Sequence, residues 1–404
     1  MTTPTAETTV QPLSAREKIS VAGMFLGVFA VGIDSFVISP LLTPMSKSLA
    51  GSVAAVAIGV TTYAVAYAVS APILAPLGDR YRPANIAIVG ITIFAVATLA
   101  TSFQNSLIGF YTVRAVAGVG GAMYTPNIQA HVSRRYDPIM RGKLIGIIMA
   151  GLSASIVLGV PFGAWAANVM SWRQVFPFIT VLGVLAAIIL GTTRVAALTD
   201  KSKTPTSPVP KRSLGVYLQA FSTSKVRFAL GATLTWMTGF YGIYTFLGTF
   251  LSQQLSINVA KVGTYLMVYG IGNFIATFTA GWINARLGSG SRPVIVFGVI
   301  NIGAVFALTT IPLTPLSVVT IFLVWAASQG YAATALIGMA ASAAPAQVST
   351  VLALNSSFIY VGLALGSAIF GQLLDYGSVV GMWMPAAVLT IMAMISARAS
   401  TREK

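Results

Sequence analysis

The sequence predicts an all-α integral membrane protein, with twelve transmembrane helices in two pseudo-symmetric six-helix bundles around a central cavity. Three observations carry this. Of 404 residues, 56% are hydrophobic and only 8% are charged, far less charge than a water-facing surface uses. The apolar runs reach the roughly 20 residues that a helix needs to cross a bilayer, and they lack the alternation of barrel strands. A polar connector then divides the runs into six and six.

In chain order the runs fall at about 19–42, 53–77, 84–103, 106–130, 143–168, 174–193, 226–251, 259–284, 292–311, 315–340, 348–374 and 379–397. Residues 1–18 are polar, without the apolar core of a removable leader, so the first span is expected to act as its own signal. The connector, 196–224, is rich in Pro, Ser and Lys and reads as flexible. The expected organisation is therefore a tail at 1–18, a bundle at 19–195, the connector, a second bundle at 225–397 and a tail at 398–404. The remaining loops are short, which leaves no room for a soluble catalytic domain.

Basic residues orient the bundle. With the N-terminus inside, 20 of the 24 Lys and Arg fall on cytoplasmic segments; Lys47, Arg173 and Lys261 fall opposite, and Arg114 lies within a span. This is the positive-inside bias, and it places both termini in the cytoplasm. The net charge of +16 is thus spread over short loops that face anionic headgroups, and does not form a nucleic-acid patch. There is no Cys and one His, His131, which reads as interfacial; with a single carboxylate at membrane depth, no metal cluster or acid/base pair of an enzyme is expected. No G-x-x-x-x-G-K-[S/T] loop is present to bind ATP phosphates.

The two halves repeat faintly. Gly151, Gly159 and Gly163 on span 5 answer Gly362, Gly366 and Gly371 on span 11, a spacing that lets helix backbones approach. Four further motifs follow in order. Ala75-Pro-Leu-Gly-Asp79-Arg80-Tyr-Arg82-Pro lies after span 2, and Arg114-Ala-Val-Ala-Gly118-Val-Gly120-Gly121-Ala on span 4. Gly159-Val-Pro161-Phe-Gly163 lies on span 5, trailed by Ser171-Trp-Arg-Gln-Val-Phe, and Asn355-Ser-Ser-Phe with Gly362-Leu-Ala-Leu-Gly366 on span 11. On these residues the chain resembles a twelve-span major facilitator superfamily transporter of the drug/proton antiporter type, and its span 11 resembles the arabinose- and purine-efflux branch. It departs from the family pattern at Ala75, at Ala117 and in the lost Gly-Arg-Arg.

The resemblance implies a monomeric carrier of the bacterial inner (plasma) membrane that acts on a small-molecule substrate by alternating access, with protons as coupling ion and no cofactor. Multidrug efflux is the leading expectation; export of purines or sugars, or uptake, are the alternatives. Asp34 and Arg114 each lie eight residues from the outer end of their span, so both sit ~12 Å deep. The family fold sets spans 1 and 4 side by side. Arginine keeps its proton and a carboxylate can release one, so Asp34 is expected to bind the proton and Arg114 to tune it. A static ion pair is the competing role, and a carboxyl sealed from every aqueous vestibule would remove the coupling. Asp79, Arg80, Arg82 and Asp137 are expected to hold an inner gate, or else only to mark topology. Gly159, Pro161 and Gly163 serve close packing and a local bend.

The expected substrate cavity is aromatic and amide: Tyr63, Tyr67, Tyr124 and Asn127 in the first half, and in the second Trp236, Phe240, Tyr241, Tyr244, Tyr269, Asn273, Gln329, Tyr331, Asn355 and Phe358, with Tyr265, Trp325 and Tyr360 nearby. Such a lining suits a neutral, partly apolar or planar ligand held by stacking.

Overall fold

The computed structural model describes residues 13–74, 77, 81–193, 219–288, 290–376 and 379–402. Among these, span 1 opens at Ser14, whose hydroxyl accepts from the Glu17 amide while Glu17 returns to the Ser14 amide, a reciprocal cap. It runs as α1 (Ala15–Phe36) and, after a break at Val37, as α2 (Ile38–Ser48). Pro40 accounts for the break: it lacks an N–H and its ring crowds the carbonyl four residues back, at Phe36. The span therefore reaches well beyond the expected 19–42.

Next come α3 (Val53–Leu74), α4 (Pro83–Thr101) and α5 (Leu107–Arg135). Helix α5 overshoots its apolar run because backbone bonding continues past the membrane edge to Arg134 and Arg135. Span 5 is α6 (Pro138–Ala154), a π-helical turn (Ser155–Gly159) and α7 (Val160–Val169). The Val160 amide reaches back five residues to Ser155, widening the helix just before Pro161, which has no amide to give. Span 6 is α8 (Trp172–Thr192). The connector residues 194–218 lie outside the described part. The second half comprises α9 (Ser224–Gln254), α10 (Val259–Leu287), α11 (Arg292–Thr310), α12 (Pro315–Ala343), α13 (Val348–Tyr376) and α14 (Trp383–Arg402).

Eleven described helices are long and apolar enough to cross a membrane; α9, the expected seventh span, is not one of them. Its 31 residues give length enough, but Thr233, Thr235, Thr238, Thr245 and Thr249 dilute its apolar character. Burial explains the difference. From Trp236 to Leu251 nearly every residue is buried, so α9 is covered by protein and needs little lipid-compatible surface.

Two lobes result, α1–α8 and α9–α14, with matching internal contacts. Span 1 packs on spans 5 and 6, span 2 on 4, and span 3 on 4 and 6; correspondingly span 7 packs on 11 and 12, 8 on 10, and 9 on 10 and 12. The glycine repeat has the same meaning in each lobe: Gly159 and Gly163 seat against Ile33 and Val37 of span 1, and Gly362 and Gly366 against Met237 and Thr238 of span 7. Between lobes, α3 meets α13, α7 meets α10 and α2 meets α9.

Arg16 Nε donates to the Thr193 carbonyl at 2.5 Å, Ser400 Oγ to that of Lys225 at 2.9 Å, and Ser291 and Thr401 share a 3.1 Å hydroxyl contact, so the start of α1 meets the end of α8 and the end of α14 meets the starts of α9 and α11. At the opposite end hydroxyls join the lobes. Ser39 Oγ donates to the Tyr244 carbonyl at 2.6 Å, Thr43 Oγ1 to Thr249 Oγ1 at 3.1 Å, and Thr61 and Ser367 lie 2.7 Å apart. One face of α10 follows the seam with span 5. A Cβ on Gly263 would lie 2.6 Å from that of Ala164, and one on Gly270 would lie 3.0 Å from the Val157 backbone. One on Gly281, which is within about 20° of the same face, meets nothing within 4 Å. Along this seam span 5 and α10 are close-packed at Gly263 and Gly270 and no longer touch at Gly281, toward the Leu287 end of α10.

Because the chain has no native cysteine, Thr43→Cys with Thr249→Cys gives one cross-link pair. Oxidation is expected to join them and stop turnover until a reductant is added; full turnover of the cross-linked form would mean that the lobes do not part there.

Candidate functional site

Asp34 lies on the last turn of α1 and Arg114 on the second turn of α5, and the structure brings them together. Arg114 Nη1 donates to both Oδ1 and Oδ2 of Asp34 at 2.7 Å, and the side chains are 1% and 0% exposed. The guanidinium carbon stands 4.6 Å from the centre of the Tyr63 ring, adding a cation–π contact. Gly118, one turn beyond Arg114, makes room for this ring: a Cβ there would collide with the Tyr63 carbonyl, so α3 can lie close on α5. Arg114 Nε is buried without a partner. Asp34 thus faces protein and not lipid. In this conformation it is also sealed from solvent, which departs from the vestibule that the coupling role requires, and the Arg114 guanidinium caps both of its oxygens.

Span 5 packs on α1 at the residues that flank Asp34 in sequence. Ser155 meets Gly32, Gly159 meets Ile33 and Gly163 meets Val37, so the π turn and α7 bracket Asp34 along α1. The opposite face of the same segment, at Val157, Pro161 and Ala164, touches Gly263 and Gly270 of the other lobe. Gly159, Pro161 and Gly163 therefore belong to a strip sandwiched between the helix of Asp34 and the second lobe.

The expected cavity residues divide into two groups. Tyr67 stacks on Tyr360 across the lobes with centroids 3.5 Å apart, and Tyr63 lies 6.3 Å from the same ring. Phe36, two residues beyond Asp34, contacts Tyr241 and Tyr244 at 6.3 and 5.5 Å. Phe240, Tyr244, Tyr269 and Trp325 then form one ring cluster in the second lobe. Of these nine rings, Tyr63, Tyr67, Phe36, Tyr241, Tyr244 and Tyr360 make contacts that cross between the lobes.

The other group has polar ends committed within one lobe. Tyr124 Oη donates to the Met24 carbonyl at 3.0 Å, and Asn127 Nδ2 to that of Met123 at 2.8 Å. Trp236 Nε1 donates to Gln329 Oε1 at 2.7 Å, and Asn355 Oδ1 accepts from Thr233 at 2.7 Å. Asn273 Nδ2 reaches the Ala326 carbonyl at 3.4 Å, Tyr331 stacks on Phe297 at 4.6 Å, Phe358 meets Phe221 at 5.7 Å, and Tyr265 packs partly buried.

Of the expected gate, Asp79 and Arg80 lie outside the described residues. Arg82 precedes α4 as its cap, and Asp137 Oδ1 accepts from the Met140 amide at 3.1 Å to open α6. His131 is 9% exposed, more buried than an interfacial residue, because α5 carries it against the lobe. Sequence reasoning missed a second buried ion pair: Arg135 Nη2 donates to Glu17 Oε1 at 2.7 Å, with side chains 5% and 3% exposed. The Ser14-Ala-Arg-Glu17 capping pattern was the available signal, but nothing in it names Arg135. Glu17–Arg135 and Asp34–Arg114 both tie α1 to α5.

The profile of the Major Facilitator Superfamily matches residues 24–367. The chain is 28% identical over 376 residues to the uncharacterised MFS-type transporter YceJ of Bacillus subtilis (strain 168), covering 92% of this chain and 93% of YceJ. It is also 28% identical over 244 residues to the uncharacterised MFS-type transporter YwfA of the same organism, covering 60% of this chain and only 58% of YwfA's length. Among solved structures, a bacterial homologue of the human lysosomal transporter Spinster, inward-facing and unoccupied, superimposes with a TM-score of 0.72 at 18% identity, covering 96% of this chain and 97% of the other.

Arg114→Met would strand a carboxylate in the interior. It is expected to lower unfolding stability by about 3–5 kcal/mol, measured by thermal unfolding in detergent. Pairing it with Asp34→Asn should restore most of the loss, whereas additive losses would mean that the two side chains are energetically independent.

Proposed function

The chain belongs to the Major Facilitator Superfamily, and on that footing we propose that it is a proton-coupled exporter of small neutral or lipophilic organic compounds, of the drug/proton antiporter type. The feature on which this reading rests is the Asp34–Arg114 ion pair beside the junction of the lobes; because the carboxyl is sealed here, which by itself counts against coupling, the reading requires that lobe motion open it to water. We take the end bearing the termini as cytoplasmic, in a bacterial-type inner membrane, on the positive-inside distribution. The seam between span 5 and α10 then loosens toward the cytoplasm, and the ion-paired, deprotonated carboxylate is the form expected once a proton has left inward.

The cycle follows from alternating access. Parting the far-end hydroxyl contacts moves α2 from α9 and slides span 5 along span 8, which disturbs the packing of Ser155 and Gly159 against α1. Asp34 is uncovered, takes a proton from outside and loses its charge, and Arg114 is freed. Proton and substrate favour opposite-facing states, so inward flow of one drives outward flow of the other. Since Asp34 is sealed in the conformation described, its proton exchange is tied to the lobe motion, which is what prevents leakage. Asp79, Arg80, Arg82 and Asp137 close the inner gate in the outward-facing state. The protein works as a monomer, with the proton as its only coupling partner.

The test is transport in proteoliposomes with a panel of antibiotics, dyes, nucleobases and sugars, with and without a pH gradient. Asp34→Asn is expected to abolish gradient-driven accumulation while sparing downhill exchange. Full gradient-driven transport by that variant would remove Asp34 from coupling. Preference for nucleobases or sugars would favour the purine- or sugar-efflux alternative, which the Tyr67–Tyr360 stack also suits.

A further inference from the structure

The ring cluster of the second lobe carries hydrogen-bond donors for which the protein supplies no acceptor. Tyr244 of α9, Tyr269 of α10 and Trp325 of α12 pack around Phe240 with centroids 5.5, 6.3 and 5.7 Å from it, while Tyr269 and Trp325 stand 4.9 Å apart. All three are at most 2% exposed. Yet Tyr244 Oη, Tyr269 Oη and Trp325 Nε1 are buried with no hydrogen-bond partner. A buried donor left unmet is costly, and here three occur in touching rings among the described residues. The same lobe treats another buried indole differently: Trp236 Nε1 is met by Gln329 at 2.7 Å.

The charges nearby narrow the ligand further. Phe36 joins Tyr244 at 5.5 Å and leads back, two residues along α1, to Asp34. That carboxylate is already neutralised by Arg114, and Arg114 by it, so neither offers an organic cation or an anion a full counter-charge. An indole N–H only donates, and a phenol donates most readily to a carbonyl-type oxygen. The half-buried Tyr241, 4.9 Å from Phe240, marks the side of approach.

We propose that Phe240, Tyr244, Tyr269 and Trp325 form the subsite for a planar, uncharged substrate bearing carbonyl-type acceptors, which stacks on the rings and takes the three unmet donors. This rests on the export reading and refines its substrate class. In the conformation described the rings touch one another, so the ligand enters by parting them.

The experiment is equilibrium binding to purified protein in detergent, without any pH gradient, using three probes. These are coumarin, 1,2-dihydronaphthalene (a similar bicyclic outline with the acceptors removed) and tetraphenylphosphonium. Coumarin is expected to bind roughly tenfold or more tighter than either of the others. Tyr244→Phe and Tyr269→Phe should each weaken coumarin by about three- to tenfold, the worth of one hydrogen bond, and leave the hydrocarbon unchanged, while Trp325→Phe, which also removes ring surface, should weaken coumarin by more than it weakens the hydrocarbon. Equal or tighter binding of the cation, no binding of any probe, or coumarin affinity unaltered in all three variants would overturn the proposal. A raised melting temperature together with unaltered affinity would identify the donors as strain alone. Acceptor-selective binding without gradient-driven transport would keep this subsite and remove the antiport reading, so the two failures are separable.

Discussion

Two opposite charges held together out of water constrain everything around them. Asp34 and Arg114 are each too costly to leave alone in a low-dielectric interior, so α1 and α5 must stay in register to within a hydrogen-bond length. The second pair, Glu17 with Arg135, applies the same demand at the other end of the same two helices. Span 1 is thereby fixed to span 4 at two levels, although few residues of α1 and α5 otherwise touch. The break at Val37 then separates this anchored part from α2, which belongs mechanically to the contact with the second lobe.

Span 5 converts that arrangement into a device. A π turn followed by a proline makes a helix that is wider and less regular than its neighbours, and its glycines let it lie deep between α1 and α10. Movement of one lobe against the other cannot bypass this strip, whose two faces touch the Asp34 helix and the opposite lobe. The pseudo-symmetric counterpart on span 11 seats on span 7 through Gly362 and Gly366 but borders no ion pair. The two lobes share the architecture, and the buried ion pairs described above, Asp34–Arg114 and Glu17–Arg135, lie in the first.

Apolar run length made most of the architecture legible, because a lipid solvent leaves so few alternatives to a helix. The exceptions are physical. Helix α9 is paler in hydropathy than its role suggests, since protein and not lipid surrounds it. Helix ends ran past the apolar edges at Ser48 and Arg135, where capping and hydrogen bonding decide the boundary. Counting residues from the span ends placed Asp34 and Arg114 at one depth, but depth carries no information on facing, and only coordinates show the shared Nη1. The aromatic and amide residues were identified as a class. Which of them look into the lobe junction depends on helix rotation, so Trp236, Tyr124 and Asn355 could not be told apart from Tyr244, Tyr67 and Tyr360. Glu17 and Arg135, far apart in sequence, left no local trace of each other.

The far-end closure has its own consequence. The hydrogen bonds described across it, from Ser39, from Thr43 and between Thr61 and Ser367, are between neutral groups, beside packed helix faces. Screening by salt acts on charges, and protonation acts on titrating groups, so this latch offers neither a handle. Its release exchanges those hydrogen bonds for water and parts the helix faces packed beside them. Any dependence of its opening on ionic strength or pH must therefore come from groups elsewhere in the protein.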